Sequence, residues 1–288
     1  MAQVSPLSRR VGARRTPAVS AAVAGGEPLR VHDDLIYDVG LHDGSDTAYY
    51  LALGFRVLAI EANSSLAEAA RQRFSAEIAD GRLELLNVGI AAQRGIARFW
   101  ICDDHDEWSS FERAVASRNG CAHHAVDVPT VPFGELLARH GIPHYCKIDI
   151  EGSDHLCLEA MRPGLAPAYV SMELMRSTRV DPLAMLCELG YRRFKIIDQL
   201  RFCTVEPRVY RWLQAPAPVA RAARAGNSLR ARTSHHGWRF AAGSSGAIGP
   251  ATPGRWLDAS SVQGLWRWLD AHVEQDNLLE WFDLHAAV

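Results

Sequence analysis

The residues with the most chemical content are Asp38-Val39-Gly40-Leu41-His42-Asp43-Gly44, followed downstream by Glu61. A glycine-bearing turn lets the backbone come close to a ligand. A carboxylate at the tip of the neighbouring strand can accept both hydroxyls of a ribose. Asp38, Gly40, His42, Gly44 and Glu61 therefore read as a nucleoside-binding set.

Strands and helices must deliver these side chains. LIYDVG, from Leu35, is a short apolar run ending in Asp and Gly, the pattern of a buried strand feeding a turn. SDTAYYLALG follows as a helix, with Ser45 placed to cap it and Gly54 to end it. FRVLAIEAN is a second strand ending on Glu61, SSLAEAARQRFSAEIADG a helix, and RLELLNVGI a third strand. Alternation of this kind predicts a doubly wound, mostly parallel sheet with right-handed crossovers.

The middle of the chain departs from that rhythm. GIARFWIC and AVDVPTV alternate as strands should, on either side of the polar stretch DDHDEWSSFERAVASRNG. PFGELLARHG is a helix, HYCKIDIEG a strand ending in acids, SDHLCLEAMRPG a helix, PAYVSMEL a strand and DPLAMLCELGY a helix. RRFKIID and LRFCTVE read as a closing antiparallel hairpin.

Which nucleoside is bound turns on position 42. A dinucleotide site wants G-x-G-x-x-G, because the pyrophosphate needs the second glycine, and here that position is His. No phosphate-binding P-loop is present. S-adenosylmethionine carries no phosphate and tolerates a side chain there, so it is the expected cofactor. The alternatives are NAD(P)-dependent hydride transfer on the same fold, and a non-catalytic cofactor-binding partner subunit.

DVGLHDG resembles the first motif of the FkbM-type methyltransferases, usually D-V-G-A-N-x-G, and CKIDIEGSDHLCLEAM resembles their second, I-K-I-D-V-E-G-x-E-x-x-x-L. Between them N-V-G-I, a glycine-led hairpin, an S-S-F segment and a V-P-x-x-x-F-x-E-L-L helix come in matching order, over about residues 34–206. The resemblance implies an α/β fold of the class I methyltransferase type. Its Rossmann-like doubly wound sheet would be mostly parallel, with an antiparallel last strand and a C-terminal cap or helical extension. It implies S-adenosylmethionine-dependent methylation, mostly of oxygen. Asn87, Val88 and Gly89 would border the adenine, Ser109 and Ser110 would close over the cofactor, and Asp149 would stand beside the transferable methyl. Leu41-His42 replace the usual Ala-Asn, and Ser153-Asp154 stand near the family's second Glu, so the acceptor pocket departs from the pattern.

A hydroxyl acceptor benefits from a base within hydrogen-bond reach. Asp149 is the first candidate, Glu151 the second, and Glu173 at the end of the fifth strand the third. No metal is expected. Mg²⁺ held by the acidic loop Asp103–Glu107 together with Asp149 and Glu151 is the lesser alternative.

Composition sets the outer bounds. The net charge is −2, which argues against nucleic acid or a membrane surface as the main partner. The charge is nonetheless segregated. Residues 207–257 carry arginine and no acid, and could clamp an anionic acceptor. The expected acceptor is a small molecule, glycan or peptide bearing a hydroxyl or carboxyl. Six cysteines without paired spacing fit a reducing cytoplasm. The expected layout is a leader at 1–33, a cofactor-binding core at 34–206, and a cap at 207–288 whose Trp-rich C-terminal helix packs on the core.

Overall fold

The computed structural model describes residues 29–174, 181–205, 218, 233–241, 243–272 and 281–288. Most of the expected leader and most of the arginine-rich segment after Glu206 lie outside the described residues.

The chain runs β1 (Val31–Val39), α1 (Ser45–Ala52), β2 (Arg56–Ile60), α2 (Ser64–Arg73), α3 (Ser75–Ala79), β3 (Leu83–Leu86) and β4 (Gly89–Ile90). It continues through β5 (Gly95–Cys102), α4 (Arg113–Ala116), β6 (His123–Val131), α5 (Phe133–His140), β7 (Ile142–Ile148), α6 (His155–Glu159), β8 (Tyr169–Glu173), α7 (Pro182–Glu188), β9 (Arg193–Asp198) and β10 (Cys203–Thr204). After it come the short pair β11 (Ser234–His235) and β12 (Trp238–Arg239), helix α8 (Ala259–His272) and strand β13 (Phe282–Ala287).

Eight strands form the main sheet in the order β10-β9-β13-β8-β7-β1-β2-β3. The contiguous strands β3, β2, β1, β7 and β8 are parallel, and β13 is antiparallel to both neighbours. The central strands are buried on both faces, so they read as apolar runs rather than as alternating sequences. Successive residues still face opposite layers. Tyr37 and Val39 pack in one core with Leu136, Leu186, Leu265 and Leu284, while Ile36 packs in a second with Tyr49, Tyr50, Ala59 and Tyr145. A separate three-stranded sheet, β4-β6-β5, is inserted between β3 and α5. The result is an α/β fold with a mostly parallel sheet, as expected.

Several local readings change. β1 begins at Val31, so the boundary placed at residue 33 falls inside a strand. The cap of α1 is Gly44 in a left-handed conformation, not Ser45; Ser45 instead donates its N–H and its hydroxyl to the Asp43 carboxylate. Asn63 caps α2, and the helix breaks at Phe74 before α3. The third strand divides, because β4 leaves the main sheet for the smaller one.

The largest difference lies at the C-terminus. The β9–β10 hairpin exists, but the sheet does not close with it. Residues 282–287, read from the sequence as the end of a helix, form strand β13 between β8 and β9. Phe282, Leu284 and Ala286 alternate with Asp283 and His285, a period of two over too few residues to stand out from the amphipathic helix before it. No helix among the described residues is long and apolar enough to cross a membrane.

Candidate active site

From β1 the chain builds outward through β2 to β3, and from β7 outward through β8. The order reverses between β1 and β7, which opens a crevice beyond their C-terminal ends, where open α/β sheets bind ligands. A cavity of about 340 Å³ occupies it. Its wall includes Gly40, His42, Glu61, Val88, Gly89, Ser109, Asp149, Glu151 and Glu173 from the expected set. Asp38, Gly44, Asn87 and Ser110 are not on that wall, but Asp38, Asn87 and Ser110 contact residues that are.

The glycine turn is fixed by its neighbours. Gly40 and Leu41 both donate their N–H to the Ile60 carbonyl, at 3.0 and 3.1 Å. Gly40 has φ +90°, and a Cβ there would lie 1.8 Å from the Asp149 carbonyl oxygen, so no other residue fits. His42 has φ +51° and donates its N–H to Glu61 Oε2 at 2.8 Å, while Asn63 N–H donates to Glu61 Oε1, also at 2.8 Å. Each carboxylate oxygen keeps a second lone pair for a ligand hydroxyl. Burial raises the Glu61 pKa, and these two backbone bonds oppose it. Asn87, expected beside an adenine, donates instead to the Glu61 carbonyl at 2.8 Å and to that of Ala62 at 3.2 Å. Leu66, Val88, Gly89, Ile90, Phe99 and Phe111 make that end of the cavity apolar.

Lys147 organises the floor. Its ammonium donates to the Gly40 carbonyl at 2.8 Å and stands 3.3 Å from Asp149, 3.4 Å from Asp38 and 3.8 Å from Asp46. Burial works against its charge, but Asp38, Asp149 and Asp46 together outweigh that and raise its pKa. Asp38 is fully buried and accepts the Thr47 hydroxyl at 2.6 Å. Burial pushes it up to about 6, with Lys147 opposing. Asp38 is thus a support for the turn rather than a wall residue. Lys147 was absent from the expected set. The available signal was a lysine in an otherwise apolar strand, one of only two lysines in the chain.

At the other end three carboxylates converge: Asp149, Glu151 and Glu173 bring oxygens within 4.8 Å of one another. Their situations differ. Arg118 donates to Glu151 through its two terminal guanidinium nitrogens, Nη1 and Nη2, at 2.8 and 3.3 Å, and stacks over Trp108 at 4.3 Å. Burial pushes Glu151 up to about 7 against that arginine. Ser110 donates its hydroxyl to the Glu151 carbonyl at 2.6 Å, which pins the left-handed turn at this residue. Asp149 has Lys147. Glu173 has no hydrogen-bond partner for its buried Oε2 among the described residues. Burial first, then the negative charges of Glu151 and Asp149, hold its carboxyl well above the usual carboxylate range.

The acidic loop does not join this cluster. Asp103 pairs with His124 at 2.6 Å, Asp106 with the His42 ring at 2.9 Å, and Glu107 with His105 at 3.4 Å. Burial opposes charge on the His42 ring, but the bond to Asp106 overcomes it and raises the imidazole pKa. Two groups among the described residues have ligand atoms close enough to share a cation, Asp149 with Glu151 and Glu173 at the strand ends, and His42 with Asp106 and Glu107 at the loop.

Three wall residues come from beyond the expected core, Gly243, Ser244 and Trp281, and a fourth, Gln199, from the turn between β9 and β10. Ser244 donates its hydroxyl to Asp46 of α1, and the Ser245 N–H donates to the same carboxylate at 3.0 Å. Gln199 donates its side-chain amide to Asp283 of β13 at 2.5 Å.

The family model of the FkbM methyltransferase domain matches residues 38–193. Among solved structures, the chain is similar to an FkbM methyltransferase from Methylobacillus flagellatus KT, at 15% identity and a TM-score of 0.34 over 50% of this chain and 33% of that one. It is also similar to precorrin-6y C5,15-methyltransferase from Geobacter metallireducens GS-15, at 13% identity and a TM-score of 0.33 over 62% and 76% of the two chains. The chain therefore spans about a third of the Methylobacillus protein's length. No curated protein matches.

Proposed function

The chain belongs to the FkbM methyltransferase family, and from that premise we propose that it transfers the methyl group of S-adenosylmethionine to a hydroxyl oxygen of a natural product, glycan or peptide. The observation that carries this reading is Glu61, anchored by the His42 and Asn63 N–H groups with lone pairs to spare, beside a turn at Gly40 that only glycine can occupy. Glu61 would take the ribose hydroxyls, and the apolar end around Leu66, Val88 and Phe111 would take the adenine. When bound, the cofactor supplies an electrophilic methyl group on a sulfonium.

The protein's own part is positioning and proton removal. Lys147 holds the Gly40 carbonyl and Asp149 together, so the turn and the acidic end keep a fixed separation. Trp108 and Trp281 line the cavity and reduce water access. Glu173 is the best-placed general base. Asp149 is engaged by Lys147 and Glu151 is clamped by Arg118, whereas Glu173, also a wall residue, has no partner at its buried Oε2 among the described residues. This reverses the order expected from the sequence. Three carboxylates at one end disfavour a carboxylate or phosphate acceptor there and favour a neutral hydroxyl.

Isothermal titration with S-adenosylmethionine, S-adenosylhomocysteine and NAD tests the cofactor reading. The first two should bind, Glu61→Ala should weaken both by at least about tenfold, ~1.4 kcal/mol, and NAD should not compete. NAD binding without either sulfur compound would overturn the proposal. Labelled-methyl transfer to cell-extract fractions then reads out the acceptor.

A further inference from the structure

One base needs one carboxylate, yet the cavity's acidic end carries Asp149, Glu151 and Glu173 on its wall, with Asp46 beside them and Asp154 and Asp283 buried close behind. Against these stand Lys147 and Arg118. Lys147 is shared among Asp38, Asp46 and Asp149. Glu173, on a different strand, receives neither cation among the described ion pairs, and its Oε2 is buried without a hydrogen-bond partner. Carboxyls buried this close together cannot all ionise cheaply, and a ligand that brings a positive charge favours their ionised forms.

We propose that the Asp149–Glu151–Glu173 cluster is a cation subsite that recognises the positive charge of the methyl donor, so that this protein binds S-adenosylmethionine in preference to S-adenosylhomocysteine. The inference rests on the cofactor reading above. The two compounds differ by the methyl group and the sulfonium charge it confers. In the reaction, a lone pair of the acceptor oxygen forms the new C–O bond and the methyl C–S bond breaks. The electron pair of that bond stays on sulfur, which becomes a neutral thioether, and the acceptor's proton passes to Glu173. The cluster is then neutralised by that proton instead of by the ligand. The spent cofactor loses its electrostatic hold in the same event that makes it a product.

Titration calorimetry in EDTA on the full chain tests this. The unmodified protein should bind S-adenosylmethionine at least about tenfold more tightly than S-adenosylhomocysteine. Glu173→Gln should bring the ratio close to one by weakening the cationic ligand alone, with the neutral one serving as the check on folding. Should Glu173→Gln fail to fold, Asp149→Asn should lower the ratio in the same direction. Equal affinities in the unmodified protein, or a ratio that neither substitution moves, would overturn the inference and leave the cofactor reading standing. Binding of neither compound would overturn both. A preference that is absent in EDTA and appears with added Mg²⁺ would assign the cluster to a metal ion and overturn the inference as well.

Discussion

Glu61 and Glu173 are both carboxylates of the cavity wall, but their oxygens are committed differently. Both oxygens of Glu61 accept a backbone N–H, which keeps the group oriented for a ligand. Glu173 leaves an oxygen without a partner, which suits a group that must gain and lose a proton. Burial and its acidic neighbours raise the Glu173 pKa, so the basic form is scarce at low pH and grows as pH rises. In a pH series of kcat/KM, the acid limb should therefore rise with pH. Glu173→Gln should remove that limb and lower kcat by about 10²–10⁴-fold, whereas Glu151→Gln, whose carboxylate is held by Arg118, should retain it. The turn residues and Glu61 were legible in the sequence because they are local, each lying at the end of a strand that its own apolar run announces. The relative merit of the three acids was not. It depends on which of them meets Arg118 or Lys147, and those pairings form only in three dimensions.

Between elements, the site depends on two close approaches. The first is the turn after β1 against the end of β7. A methyl group at Gly40 would collide with the Asp149 carbonyl, and its φ of +90° is unfavourable for any side chain. Gly40→Ala should cost about 1–3 kcal/mol or more, read as a lower urea midpoint, and should abolish cofactor binding even in protein that folds. The second is the seating of residues 243–252 on α1 through Ser244, Ser245 and Asp46. Ser244→Ala removes one hydrogen bond to a buried carboxylate and should cost about 1.5–3 kcal/mol, with faster amide exchange confined to residues 243–252. Asp46 and Ser244 stand 198 positions apart, so no spacing rule could have joined them. The same holds for Gln199 and Trp281, which reach the wall only because β13 enters the sheet.

Across the whole molecule, β13 brings Asp283 and His285 into the buried interior, both about 2% exposed. Burial pushes Asp283 up to about 7, from an ordinary value near 3.8, and burial pushes His285 down to about 3. The two act in opposite directions on stability. A carboxyl whose folded pKa is raised contributes stability that is fully present below about pH 4 and is lost as pH rises through about 7. A histidine whose folded pKa is depressed contributes stability above about 6.5 that is lost as pH falls toward about 3. Above pH 6.5 the His285 effect has levelled off while the last of the Asp283 effect is lost, with Glu151, also raised to about 7, adding to it, so Asp283→Asn should lessen the decline in Tm there and raise Tm at pH 8 by about 2–4 °C. The architecture as a class was readable because strand–helix alternation is written in contiguous segments. The place of the final strand was not, because a six-residue alternation says nothing about which gap in a sheet it fills. That place also constrains how the protein is made. On the ribosome, β8 and β9 emerge well before β13, with roughly 80 residues still to be translated after β9, a delay of several seconds at ~5–20 residues per second. Until then the two strands share no partner, and their facing edges are open to wrong pairing. The nascent chain therefore carries two unpaired strand edges until β13 has been synthesised.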